Sequence, residues 1–156
     1  MKTRCACPAT RRCGWRSRSK GSSTCGASRP TRATVARSSR CIAVRVPRAT
    51  GLLPFARGLR PHDKAAADRL TALAITDLEF VVQTDAARWR SLAVHDRGEL
   101  LGAIADAWLQ LGDADKANAY LDRMVSELPN TPYATNAALR RADPAAKKPL
   151  TCLGCH

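Results

Sequence analysis

The residues with the clearest chemical potential are the last ones in the chain. Cys152, Cys155 and His156 place two thiols three positions apart and an imidazole directly after the second thiol. Thiolates and imidazoles are side chains that bind soft transition metals, and thiols also form covalent and redox-active bonds. This group, the C-terminal cysteine motif, therefore indicates a metal or cofactor site, which other elements of the chain must position.

The C-terminal cysteine motif resembles the C-x-x-C-H pattern of c-type haem attachment. The resemblance implies that Cys152 and Cys155 bind a covalent haem c, and that His156 ligates its iron. Met124 and His95 are the candidates for the second axial ligand. Because haem c is attached outside the cytoplasm, the resemblance implies a periplasmic or extracytoplasmic protein, although the sequence shows no export signal. Without haem, a cytoplasmic protein is expected.

Three other interpretations of the motif remain open. A zinc site would need His62 or His95 as a fourth ligand, because only three ligands are local. A thioredoxin-like dithiol would need a turn from a strand into a helix, whereas this motif follows a helical region. The cysteines can also be an unreactive terminus, because chain ends tolerate most residues.

Charge divides the chain into two dissimilar parts. Residues 1–62 carry 15 Lys and Arg and no acidic residue, whereas residues 63–156 carry 11 basic and 13 acidic residues. Residues 1–46 show no helical or strand periodicity and have little to bury, so we predict that they are disordered. A nucleic-acid-binding tail is one interpretation of this part, although only Trp15 offers a stacking platform.

A cysteine-rich metal or disulfide module is a second interpretation of residues 1–46, but the cysteine spacings fit no zinc pattern. The third is that this part was translated from a wrong frame or start. We favour the third interpretation, because the composition changes so abruptly.

Four helices are predicted in the second part, from apolar residues at helical spacing. The first is capped by Asp63 and ends near Asp85, and the second lies within residues 98–111 and ends at Gly112. Asp113 or Asp115 caps the third, which Pro129 stops, and Asn130 or Thr131 caps the fourth, Pro132 to Arg141.

The apolar stripe expected in the first of these helices is Ala67, Leu70, Leu73, Ala74, Leu78, Val81 and Val82. In the second it is Leu100, Leu101, Ile104, Ala105, Trp108 and Leu111, and in the third Ala117, Tyr120, Leu121, Met124, Val125 and Leu128.

The pair of helices joined at Gly112 resembles a tetratricopeptide repeat. The residues that carry the resemblance are Leu101, Ile104, Ala105, Trp108, Gly112, Ala117, Leu121, Met124 and Pro129. Upstream, Ala49, Leu53, Ala56 and Pro61 repeat the spacing of the last four. Pro61 precedes Pro129 by 68 residues, which is twice the ~34-residue period of the family. Pro54 is expected to disturb the upstream helix, and residues 64–97 depart from the pattern.

The resemblance implies an all-α fold, in which antiparallel helical hairpins form a TPR-like α-solenoid over residues 47–141. A linker and the cysteine motif follow in residues 142–156. Such a solenoid binds protein partners on a concave surface, and Glu99, Asp106 and Gln110 are candidates for that surface. Because fewer than three complete repeats are present, we expect the chain to end a longer array or to need a partner.

The sequence shows no phosphate-binding loop, paired-carboxylate signature or nucleophile–His motif, so we do not expect an enzyme. No apolar run approaches the ~18 residues of a membrane span. The leading hypothesis is a protein-binding scaffold that carries haem c for electron transfer. A plain scaffold without a cofactor is the alternative, and a basic nucleic-acid-binding protein is a further one.

Overall fold

A computed structural model describes residues 32–84, 86–145 and 150–151, with side chains for 44–83, 88–145 and 150–151. Its contacts divide the chain into Met1–Pro30 and Thr31–His156, and every described residue belongs to the second unit. The described residues form helices and turns, as the all-α prediction requires. The helices are α1 (Arg32–Leu59), α2 (Lys64–Thr84), α3 (Ala86–Ser91), α4 (Val94–Leu111), α5 (Ala114–Glu127) and α6 (Pro132–Ala142).

The turn residues begin and end α2 and α4 as their chemistry predicts. The Asp63 carboxylate accepts a hydrogen bond from the Ala66 N–H at 2.8 Å and so caps α2. Gly112 ends α4 with a φ of 83°, a left-handed conformation that costs glycine little. α2 ends at Thr84, next to the predicted Asp85.

Side-chain caps also set the starts of α5 and α6. The Asp113 carboxylate accepts from the Lys116 N–H at 3.1 Å, and the Thr131 hydroxyl accepts from the Ala134 N–H at 3.2 Å. Of the two caps considered for each helix, Asp113 rather than Asp115 caps α5, and Thr131 rather than Asn130 caps α6. The predicted bounds of both helices are confirmed to within a residue or two.

Helix α1 is longer than predicted. It begins at Arg32 and continues through Pro47 and Pro54, so the predicted boundary after residue 46 falls inside a helix. Proline removes one backbone donor and crowds the preceding turn, which favours disruption. Here the helix persists because Ala49, Leu53 and Ala56, which are at most 3% exposed, pack it against its neighbour.

A buried carboxylate joins α1 to α2. Asp77 is fully buried and accepts hydrogen bonds from Arg45 at 2.7 Å and from both Nε and Nη2 of Arg48, at 2.5 and 2.6 Å. The Arg45 guanidinium also lies 4.1 Å from the centre of the Phe80 ring. This cluster fixes α1 to α2 on both sides of Pro47, through Arg45 and Arg48.

α4 is the central helix of the described fold. It packs against α2, α5 and α6, and its short connection to α5 makes these two an antiparallel hairpin. Gly98, Leu100 to Ala105 and Ala107 are all buried, which covers nearly every direction around the helix axis. Small residues at five of these positions let the neighbouring chain approach closely.

The predicted apolar stripes are mostly buried, with two exceptions. Leu78, Leu101, Ile104, Leu121, Met124 and Leu128 are at most 1% exposed. Val125 was expected in the stripe of α5 but is 40% exposed, because it lies beyond the sector that faces α4 and α6, and Leu73 is 42% exposed. Among the described helices, none combines the length and the hydropathy of a membrane-spanning segment.

Candidate functional site

Cys152, Cys155 and His156 lie outside the described residues, but the two residues that precede them do not. Leu150 is 1% exposed and belongs to the apolar core. Thr151 follows it against α4. A Cβ built on Gly102 would lie 2.6 Å from the Leu150 carbonyl oxygen and 2.8 Å from the Thr151 Cγ2. Leu150 and Thr151, the C-terminal strap, are therefore seated on α4 at a position that only glycine permits.

The three residues predicted to bind a partner lie on α4 and are partly buried. The Asp106 carboxylate is 3.6 Å from the Arg140 guanidinium of α6. Burial raises the pKa of Asp106, and Arg140 and Arg57 oppose this rise. The Gln110 Oε1 is buried, with no hydrogen-bond donor among the described residues.

Glu99 belongs to a polar network that connects α4 to α6. The Tyr133 hydroxyl lies 2.7 Å from the His95 Nδ1 and donates to the Glu99 Oε1 at 2.9 Å. The Tyr133 ring covers Gly98, where an added Cβ would lie 2.5 Å from the ring. Gly98 thus places the hydroxyl between an imidazole and a carboxylate on one face of α4.

An open groove lies between the first four helices, beside Glu99. Its volume is about 240 Å³. The lining is formed by Val46 and Thr50 of α1, Leu78 and Val81 of α2, Arg88, Trp89 and Leu92 of α3, and Asp96, Glu99, Leu100 and Ala103 of α4. α3 is only six residues long, which leaves this space open beside it. The groove thus has apolar walls and three charged side chains.

The charged groups of the groove are two carboxylates on α4 and one guanidinium on α3. Asp96 is exposed and lies in the first turn of α4, where the helix dipole favours a negative charge. Glu99 follows one turn later on the same face, and Arg88 lines the groove from α3. A ligand that combines an apolar group with a cation fits this pattern.

Trp89 shows how α5 supports the groove. Its ring is 6% exposed, and its Nε1–H donates to the Glu127 carboxylate at 2.6 Å. Glu127 is held in turn by Arg123, four residues earlier on α5, at 2.8 Å. Although burial opposes it, hydrogen bonding from Arg123 and Trp89 and the charges of Arg123 and Arg97 lower the pKa of Glu127. In the sequence, Trp89 is only an isolated aromatic residue within residues 64–97, which depart from the repeat pattern.

Met124 is fully buried in the core, whereas His95 is exposed. Of the two candidates for a second haem ligand, only His95 is thus accessible. No group of three or more His, Cys, Asp or Glu side chains that could hold a metal ion occurs within the described part of the chain.

Comparisons with protein-family models, with curated proteins and with solved structures find no match to this chain.

Proposed function

We propose that this protein is a helical scaffold that binds a partner chain through the groove between α1, α2, α3 and α4. The observation that carries the proposal is the groove itself, an apolar depression of about 240 Å³ flanked by two carboxylates on α4. A helix pair that resembles a tetratricopeptide repeat supports the same class of function. Glu99, predicted from the sequence to bind a partner, lines the groove.

The occupant we propose is a segment with one large apolar side chain next to a Lys or Arg. The groove volume is on the order of one aromatic side chain, and Leu78, Trp89 and Leu100 supply an apolar surface for it. Burying such a side chain contributes about 1.5–3 kcal/mol. Asp96 and Glu99 outnumber Arg88 at the same groove, which favours a cationic neighbour.

Short acetylated peptides test this proposal, with one Phe flanked by Lys in one peptide and by Glu in the other. We expect saturable binding of the Lys peptide, with a Kd on the order of 1 mM, and a shift of the Trp89 indole N–H resonance. Thr50→Phe should fill the groove and weaken binding about tenfold or more, as expected from the lost apolar burial. Calorimetry and NMR give both measurements.

Matched controls separate the groove from general effects of substitution. Thr76 is exposed on α2 and, like Thr50, donates to the carbonyl four residues earlier in its helix, so Thr76→Phe is the matched change outside the groove. Asp96→Asn should weaken the Lys peptide, whereas Asp115→Asn on α5 should not. Equal binding of the two peptides, or equal loss in both Thr variants, would exclude this partner chemistry.

We further propose that the C-terminal cysteine motif carries a covalent haem c, with Cys152 and Cys155 as thioether residues and His156 as an iron ligand. The specific observation that supports it is the C-terminal strap, which directly precedes the motif in the sequence: Leu150 is buried and Thr151 is packed at Gly102. An unreactive terminus would not require the residues that precede it to be packed against α4. When bound, the haem iron would accept and release single electrons.

Absorbance spectroscopy of the chain produced in a periplasm competent for haem c attachment tests the haem proposal. We expect a pyridine haemochrome spectrum from haem that stays with the denatured protein, and its loss when both Cys152 and Cys155 are replaced by Ala. Replacing Cys41 by Ala is the control and should leave the covalent haem in place. Protein without covalent haem under these conditions would leave the scaffold function alone.

A further inference from the structure

Glu99, one of the two carboxylates of the groove, is held by a side chain of α6. The Tyr133 hydroxyl donates a hydrogen bond to the Glu99 Oε1 at 2.9 Å. Because the donor is a neutral hydroxyl, this bond orients the carboxylate without bringing a positive charge to it. The described residues that line the groove belong to α1, α2, α3 and α4. The contact therefore connects α6 to the charged edge of a groove that other helices form.

Close packing sets the position of this hydroxyl. An added Cβ at Gly98 would lie 2.5 Å from the Tyr133 ring, so the ring occupies space that only glycine leaves open. Tyr133 also lies in the first turn of α6, where the Thr131 hydroxyl caps the helix. The cap fixes the backbone and Gly98 admits the ring, so the hydroxyl reaches Glu99 from a defined point.

His95 contacts the same hydroxyl. Its Nδ1 lies 2.7 Å from the Tyr133 oxygen. The hydroxyl has one proton and donates it to Glu99, so His95 must donate in this contact through an Nδ1–H. A further proton on His95 then goes to Nε2 and makes the ring a cation. The Nδ1 and the Glu99 Oε1 are within about 5.6 Å of each other, the sum of the two contacts.

The surroundings of His95 make its charge relevant to the groove. His95 is exposed and lies one turn before Glu99 on the same face of α4. Among the described residues, Tyr133 of α6 contacts its ring, and Asp96, Arg97 and Glu99 are the charged groups that follow it within one turn of α4. Asp96 and Glu99 are the carboxylates of the groove. A positive charge on the imidazole therefore opposes both of them.

We propose that Tyr133 is the positioning residue for the carboxylate with which the groove recognises a cation, and that a proton on His95 weakens this recognition. The inference rests on the partner chemistry proposed above. Imidazole is the side chain that ordinarily changes its charge between about pH 5 and pH 8. Above this range Asp96 and Glu99 face a cationic partner without a charged His95, and below it His95 adds a repulsive charge. A cationic partner is therefore bound more tightly at the higher pH.

Titration of the full chain with the Lys peptide at about pH 5.5 and about pH 8 tests the role of His95. By NMR, the Kd should be about two- to fivefold higher at the lower pH, as expected for one charge that solvent partly screens. His95→Gln should remove this difference, because an amide does not titrate. His62→Gln, at an exposed position in the turn after α1, should keep it.

A peptide with Phe flanked by Gln isolates the positioning role of Tyr133, because it offers the groove no cation. Tyr133→Phe keeps the ring over Gly98 and removes the hydroxyl. It should weaken the Lys peptide about threefold at pH 8, as expected for a lost hydrogen bond, and leave the Gln peptide unchanged. The matched control is Tyr120→Phe, which removes a hydroxyl that donates to Glu79, outside the groove. It should change neither Kd.

The outcomes separate this inference from the groove itself. A Lys peptide that binds equally at both pH values, or a pH dependence that persists in His95→Gln, would overturn the role of His95 and leave the groove as a binding site. An equal loss for the Lys and Gln peptides in Tyr133→Phe would overturn its positioning role. If neither peptide bound the wild-type chain at either pH, the proposed partner and this inference would both be wrong.

Discussion

At the scale of single residues, Asp77 decides how α1 is held on α2. Its side chain is fully buried, and both of its partners, Arg45 and Arg48, come from the basic part of the chain. A buried carboxylate is tolerated only when it is paired and hydrogen-bonded. The excess of basic residues at the start of the chain therefore includes at least two, Arg45 and Arg48, that have a structural role in the helical fold.

Replacing Asp77 should show the size of this interaction. Asp77→Ala removes the acceptor of three hydrogen bonds from Arg45 and Arg48, whose side chains are themselves partly exposed, so we expect it to lower the free energy of unfolding by about 1–3 kcal/mol. Urea denaturation followed by circular dichroism measures this change. Asp115→Ala, at an exposed position on α5, is the control, and a similar loss in both variants would contradict the role of burial.

Asp106 predicts a specific pH dependence. Burial raises its folded-state pKa above the ordinary value of 3.8. At a pH between 3.8 and this raised pKa, the folded chain therefore binds more protons than the unfolded chain. The free energy of unfolding should fall as the pH rises through this range. Relative to the wild type, Asp106→Asn should gain stability from pH 3.8 upwards and keep that gain at neutral pH, as measured by urea denaturation. A relative loss would mean that Arg140 and Arg57 outweigh burial.

At the scale of elements, the glycines of the helices are of two kinds: some lie where another part of the chain packs closely, and others lie on an open helix surface. Gly98 and Gly102 lie on one face of α4, beneath the Tyr133 ring and the C-terminal strap. Gly51 lies in α1 with no atom within 4 Å of an added Cβ. The same residue type is therefore required in α4 for close approach and is only tolerated in α1.

Alanine substitutions at the two kinds of glycine should act in opposite directions. Gly102→Ala places a methyl group against the Leu150 carbonyl and should destabilise the protein by about 1–3 kcal/mol, as overpacking does. Gly51→Ala should stabilise it by about 0.5–1 kcal/mol through helix propensity. Thermal denaturation of both variants measures the difference. If Gly102→Ala were as stabilising as Gly51→Ala, the strap would not be seated on α4.

At the scale of the whole molecule, the helical unit begins earlier than composition indicates. α1 starts at Arg32, and its residues 45 and 46 contribute to the Asp77 cluster and to the core. α4 is enclosed by other elements on most of its circumference. The groove beside the short α3 is lined by residues of four of the described helices, α1 to α4.

Two truncations test the boundary of this unit. A chain starting at Pro47 lacks Arg45 and Val46, so it loses one partner of Asp77 and a side chain that packs on the core. We expect it to melt at a lower temperature than a chain starting at Arg32, in thermal denaturation followed by circular dichroism. Equal melting temperatures would place the functional boundary of the fold at residue 47, as the sequence alone predicts.

Local chemistry determined much of this protein. Asp63, Gly112 and Thr131 begin or end their helices through contacts within a few residues, so the bounds of α2, α4 and α6 follow from the sequence. The apolar stripes follow for the same reason, since a helix presents residues three and four apart on one side. The all-α fold was predictable from these two signals.

Tertiary structure decided the rest, because it depends on groups distant in sequence. Asp77 lies among apolar residues in the sequence, a pattern that is typical of a buried acid. Its partners Arg48 and Arg45 lie 29 and 32 residues away, so the pattern does not identify them. The groove requires four helices to meet, and the order of His95, Tyr133 and Glu99 requires α6 to return beside α4. Periodicity carries no information on these meetings, since it records which side of a helix is apolar and not which element covers it.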